Sequence, residues 1–235
     1  MQCSTTQNPN ASEQVPPAYY PQEQQDRPDR GMCERNTLEE AAGAEDVPVF
    51  GPEEAEAVAV DIETTGLEPN CAITAVALAG PSWSACYTFG PTDDFNHNRA
   101  AIVGILNHAP LIYAFNAPDF DFPVMQRCFG LEDHTIGTWM AKLVDPLYAA
   151  KALYGTKACA KLDLILTLNG LPAKTGSGLD AVHMARDGKW QALAAYCTHD
   201  TDVTRRLIGS QIVYWTEGMT FRPRSRRVWA NIATP

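Results

Sequence analysis

The segment Ala57-Val58-Ala59-Val60-Asp61-Ile62-Glu63-Thr64-Thr65-Gly66 constrains the fold more than any other stretch of the chain. A compact apolar run bounded by a turn reads as a strand buried on both faces. Here the run carries Asp61 and Glu63 at its tip, and Thr64-Thr65-Gly66 ends it in a turn. Residues two apart on a strand point to the same face, so the two acids are neighbours. Carboxylates are rarely buried unless they are paired or bound to a cation. This strand therefore predicts a core element whose end is a charged site.

The rest of the pattern builds around that strand. Residues 71–79 (CAITAVALA) and 84–89 (SACYTF) predict two more strands. The connections are short, so the three form an antiparallel meander. Residues 99–107 have helical spacing, and 111–115 (LIYAF) predict a fourth strand. Residues 120–129, 136–144, 162–168 and 190–208 predict helices. Three strands, a helix, a strand and then mostly helices is an α/β layer pattern. No internal repeat is visible.

Charge divides the chain. Residues 1–56 hold twelve acids against Arg27, Arg30 and Arg35, which accounts for -9 of the formal net charge of -10. That segment is rich in Gln, Pro, Glu, Asn and Ser and cannot bury enough surface to offset ordering entropy. Residues 1–54 are expected to form a disordered acidic tail, solubilising or tethering the chain to a replication or repair partner. The remainder is near neutral, so the acidic balance does not argue against an anionic ligand. Residues 218–235 form a basic extension with Arg222, Arg224, Arg226 and Arg227 and no acid.

Seven cysteines without a C-x-x-C pair argue against a disulfide framework or a zinc knuckle. The N-terminus lacks the basic start and apolar stretch of a signal peptide. No apolar run approaches the roughly 18 residues of a membrane span. A soluble, intracellular protein is expected, with no membrane partner.

Two further acids sit in unusual apolar settings. Asp121 lies in LIYAFNAPDFDFPVM, just past the fourth strand, where a helix begins. Asp200 lies in LAAYCTHDTDVTRRL, on the longest predicted helix. Four acids at the ends of core elements invite two divalent ions, and oxygen ligands without His or Cys select Mg²⁺ or Mn²⁺. Two such ions suit in-line displacement at phosphorus.

These residues carry a resemblance. VDIETTGL is similar to the first motif of the DEDD superfamily of 3′–5′ exonucleases, AFNAPDFDFPVM resembles the second, and YCTHDTDVTRRL resembles the third in its tyrosine version, Y-x-x-x-D. The resemblance covers about residues 56–216. It implies a ribonuclease H-like mixed sheet, three antiparallel strands plus parallel strands, flanked by helices. It implies a nuclease domain over residues 55–217, two catalytic metals, and release of nucleoside monophosphates from the 3′ end of a nucleic acid.

Spacing separates near neighbours. Tyr196 stands four before Asp200, as the tyrosine class requires, whereas the histidine class would need His at the position of Ala195. His199 projects about 100° from Asp200 on a helix. His199 and Asp202 are read as flanking residues. Asp119 competes with Asp121 in the second motif and is read as a helix N-cap. By resemblance, Asp61 bridges both metals, Glu63 and Asp200 complete the first site, Asp121 supports the second, and Tyr196 orients the attacking water. Thr64 and Thr65 would offer backbone N–H groups to the terminal nucleotide, and Asn116 would contact the strand or orient Asp121.

Weaker signals remain. Gly170 to Gly176 lacks the Gly directly before Lys that a Walker loop needs, since Ala173 stands there. Lys174 is a candidate phosphate contact, with a solvated loop lysine as the other reading. Arg222, Arg224, Arg226 and Arg227, flanked by Phe221 and Trp229, are candidates to grip phosphates. The sequence expectation is a 3′–5′ exonuclease, with DNA slightly favoured. An RNA-trimming exoribonuclease on the same site and a catalytically silent nucleic-acid-binding module stay open.

Overall fold

The apolar run at Ala57 becomes strand β1, Val58–Thr64, at the centre of a five-stranded sheet. The computed structural model describes residues 57–155, 160–210, 213–215 and 220–221. The expected acidic tail and Arg222, Arg224, Arg226 and Arg227 lie outside the described residues. After β1 the chain turns back into β2, Ile73–Ala79, and again into β3, Ser84–Thr88. Both pairings are antiparallel, as the short connections predict. Helix α1, Phe95–His108, then crosses to β4, Ile112–Tyr113, which lies parallel to β1. Asp94 caps α1 by accepting from the His97 N–H at 3.0 Å, which starts the helix earlier than its apolar spacing suggests.

Helices α2, Asp121–Phe129, and α3, Asp133–Met140, lead to β5, Leu143–Val144, parallel to β4. The helix expected over 136–144 is thus two elements. Its last residues, Leu143 and Val144, are spent on pairing with Ile112 and Tyr113 at the sheet edge. Four helices follow: α4, Pro146–Tyr154; α5, Leu162–Leu168; α6, Gly178–Arg186; and α7, Trp190–Gly209. A separate two-stranded pairing joins β6, Val213–Tyr214, to β7, Thr220–Phe221. The sheet order is β3-β2-β1-β4-β5, with three antiparallel and two parallel strands in the expected arrangement.

Two faces of β1 differ in volume, and the difference positions the site. Val58, Val60 and Ile62 face a cluster with Val76, Leu78, Ile102, Leu106, Phe122, Met125 and Trp139. Each large side chain buried there stabilises the fold by about 1.5–3 kcal/mol. Trp139 is fully buried, packs on Phe122 at 5.6 Å, and donates its Nε1–H to Asn107 Oδ1, as expected of a core residue. The opposite face carries Ala57 just before β1, Ala59 of β1 and Ala75, Ala77 and Ala79 of β2, and α7 packs across it. On α7 the buried positions are Leu193, Tyr196, Cys197, Asp200, Thr201, Val203, Thr204, Leu207 and Ile208. That spacing of three and four is an amphipathic stripe, and an acid stands in the middle of it. Among the described residues, no helix is long and apolar enough to cross a membrane.

Candidate active site

Asp61 and Glu63 continue the row of Ala57 and Ala59 along β1, so period-two alternation turns both acids toward α7. A β-bulge between Glu63 and Thr64 ends the regular pairing with β2 just past the second acid. From α7, Tyr196 and Asp200 lie on one helical face because they are four apart. Asp200 is 0% exposed and Glu63 7% exposed. Asp121, 4% exposed, is the first residue of α2, where a helix N-terminus favours an acid.

The carboxyls meet. Burial raises Glu63 to about 9, and the charges of Asp61, Asp200 and Asp121 add to that rise against the pull of Lys174. Burial also raises Asp61 to about 7, with Lys174 opposing and Asp200 adding. Asp121 is pushed well above the usual carboxylate range by burial, then by Asp61 and Asp145. Asp200 is raised by burial despite the Lys174 ammonium 2.8 Å from its Oδ2. Lys174 and the Tyr196 hydroxyl both act on the Asp200 carboxylate, and burial still prevails. Crowded buried acids are what a further cation would relieve.

Asp61, Glu63 and Cys197 offer donor atoms within 4.8 Å of one another. The Cys197 thiol contacts the Asp61 backbone carbonyl at 3.6 Å, and burial pushes its pKa well up. A protonated thiol is a poor ligand for a hard ion, so the oxygen donors are the fitting set for Mg²⁺ or Mn²⁺. The sequence already held a signal for Cys197: it stands three before Asp200 and so shares its helix face.

Asp145 was not singled out by sequence reasoning and supports the site from below. It is 1% exposed, and burial raises it to about 6 against several backbone donors. Its Oδ1 accepts from the Leu147 and Tyr148 N–H groups at 2.9 and 3.0 Å, capping α4, while Oδ2 accepts from Ala117 at 2.8 Å. Asp145-Pro146 is a readable helix start. Asn116 adopts φ 70°, and its carbonyl accepts from Asp119 and Phe120, which turns the chain into α2. Asp119 does not cap that helix: Phe120 holds the cap position, and Asp119 pairs with Lys151 at 2.6 Å on the surface.

Other candidates are placed as follows. Thr64 is buried, and its hydroxyl donates to the Gly66 carbonyl. Thr65 donates its N–H to Ala72 O at 2.9 Å and accepts from Ala72 N at 3.0 Å, so that N–H is committed to the turn. Tyr196 is buried, and its hydroxyl donates to Gly176 O at 3.3 Å; burial, with Asp200 and Glu63, raises its pKa. Lys174 lies inside the cluster, 5.6 Å from the Tyr196 ring centre. His199 Nε2 reaches Ala173 O at 3.1 Å, and Asp202 pairs with Arg205, so both serve the framework.

With this geometry, the chain resembles known proteins in a family model and in solved structures. A family model described as the RNase_H superfamily matches residues 58–210. No curated protein matches the chain. Among solved structures it is similar to the family B DNA polymerase from the hyperthermophilic archaeon Pyrobaculum calidifontis, at 14% identity and a TM-score of 0.49 over 64% of this chain and 23% of that one. It is also similar to a nuclease in its apo form, at 19% identity and a TM-score of 0.37 over 67% of this chain and 88% of that one. This chain thus spans under a quarter of the polymerase. The mixed sheet and the match across residues 58–210 place the chain in the RNase H superfamily.

Proposed function

We propose that the protein is a metal-dependent 3′–5′ exonuclease of the tyrosine DEDD type, hydrolysing phosphodiester bonds of nucleic acid, DNA slightly favoured, and releasing nucleoside monophosphates. The observation that carries the reading is the meeting of Asp61, Glu63, Asp121 and Asp200 beside Tyr196. Membership of the RNase H superfamily supports nucleic-acid hydrolysis as the reaction class. The three motifs support the polarity and the tyrosine type.

Two Mg²⁺ or Mn²⁺ ions, when bound, supply an activated water and neutralise charge at the leaving oxygen. Asp61 interacts with Glu63, Asp121 and Asp200 and would be a ligand common to the ions held there. Glu63, Asp200 and Asp121 would supply the remaining carboxylate ligands. Tyr196 exchanges its weak contact with Gly176 for the attacking water and holds it in line. Asn116, Thr64 and Thr65 shape the seat of the terminal nucleotide, and Lys174 contacts a phosphate. Arg222, Arg224, Arg226 and Arg227 take phosphates further along the strand. Residues 55–217 are the nuclease domain, and the acidic tail tethers it to a replication or repair partner.

The test is an end-labelled panel of single- and double-stranded DNA and RNA with Mg²⁺ or Mn²⁺. Asp61→Asn and chelation by EDTA are each expected to abolish release of mononucleotides while the fold stays intact, because a carboxamide is a poor ligand for a hard dication. Nuclease activity that survives both treatments removes the two-metal reading.

A further inference from the structure

Lys174 stands where a cation is needed. Its ammonium lies 2.8 Å from Asp200 Oδ2, over the Tyr196 ring at 5.6 Å, and within the field of Asp61. Its backbone is held there on three sides. The Lys174 N–H donates to Asp163 Oδ1 at 2.9 Å, Ala173 O meets His199 Nε2 at 3.1 Å, and Gly176 O accepts from Tyr196 at 3.3 Å. Two of these three anchors come from α7, the helix that carries Asp200. The loop is thus fastened to the helix on both sides of the lysine. Yet the lysine side chain keeps 23% of its surface exposed, which leaves the ammonium a way out.

We infer that Lys174 is a built-in counter-ion, which occupies the Asp200 side of the carboxylate cluster and yields it to a divalent ion. This rests on the metal-dependent reading above. One ammonium brings a single positive charge to four crowded acids and reaches only Oδ2 of the two Asp200 oxygens as an ion pair. A dication offers twice the charge and direct ligation to those oxygens. An ammonium and a dication a few ångströms apart repel each other. Both cannot keep the same carboxylate, so metal binding expels the lysine side chain while its anchored backbone stays. The freed ammonium then points from the rim of the site, the place from which a substrate phosphate approaches.

The device has a cost and a use. Metal affinity is reduced by the contact that must be broken. In exchange, the metal-free protein keeps one positive charge among its crowded carboxyls.

The experiment is calorimetric titration of Mn²⁺ into full-length protein without substrate, on the wild type and on Lys174→Met, Lys174→Gln and Asp200→Asn. Both lysine variants are expected to bind Mn²⁺ at least tenfold more tightly than wild type. Their melting temperature in EDTA should fall, and the rise on adding Mn²⁺ should grow. A variant recovered folded only with Mn²⁺ gives the same support. Unchanged or weakened Mn²⁺ binding in both lysine variants overturns the inference. If Asp200→Asn still weakens binding in that case, the lysine alone is misread. If Asp200→Asn also binds like wild type, the carboxylate site itself is misread.

Discussion

The carboxylate of Asp145 accepts the Ala117 N–H at 2.8 Å and thereby ties the start of α4 to the turn that aims Asp121. The two residues are 28 positions apart, and both are buried. Asp145→Ala removes a helix cap and leaves the Ala117 donor buried without its partner. The expected loss is about 2–4 kcal/mol of stability, read by urea denaturation. Hydrolysis should fall as well, because Asp121 loses its support. A variant as stable as wild type would mean that water replaces the carboxylate.

Tyr196→Phe tests the hydroxyl apart from the ring. If the hydroxyl orients water, kcat should drop about 10- to 10³-fold, the scale of one positioning contact, with KM little changed. The ring packs with Leu193 and Cys197 and is retained in the variant, so stability should hold. A wild-type kcat places the enzyme outside the tyrosine mechanism.

The raised carboxyls give the metal-free protein a pH dependence of defined sign. Asp61 and Glu63 hold protons up to about 7 and about 9, whereas the unfolded chain releases them near 3.8 and 4.5. Between those limits the native state binds more protons, so stability falls as pH rises and levels off above the upper value. Melting temperatures measured in EDTA should therefore decline from about pH 5 to about pH 9. Excess Mn²⁺ should flatten the decline, since the bound carboxylates stay ionised. A flat profile in EDTA would show that the acids are solvated and ionised.

Arg222, Arg224, Arg226 and Arg227 form the densest positive cluster in the sequence. If all four touch phosphates, replacing them with Ala should lower the slope of log K against log salt by up to about 3 for a single strand. Cleavage of a dinucleotide should be unaffected. Unchanged affinity and slope on a long strand would remove the cluster from the binding surface.

Much of this architecture could be read because one segment carried both fold and chemistry. The alternation in Ala57 to Glu63 set the buried strand and put the two acids on one face, and the Tyr196–Asp200 spacing set the inner face of α7. The edge was harder to read. Leu143-Val144 continues the apolar pattern of α3, and only pairing with β4, a partner distant in sequence, makes it a strand. Helix α6 went unread, although Ser177 and Asp180 form the capping box that starts it. Asp145 went unread because its bond to Ala117 depends on a long-range approach. Lys174 was legible as a cation near phosphates, but its place among the acids depends on where His199 and Tyr196 anchor a loop.

The five alanines between the sheet and α7 act as a shim. They set how far Asp200 and Tyr196 stand from Asp61 and Glu63, although none of them carries a reactive group. A methylene added at Ala77 would lift the helix by a fraction of an ångström and detune the chemistry well before it threatened the fold. Substitutions along this row would therefore alter rate while leaving every reactive residue in place.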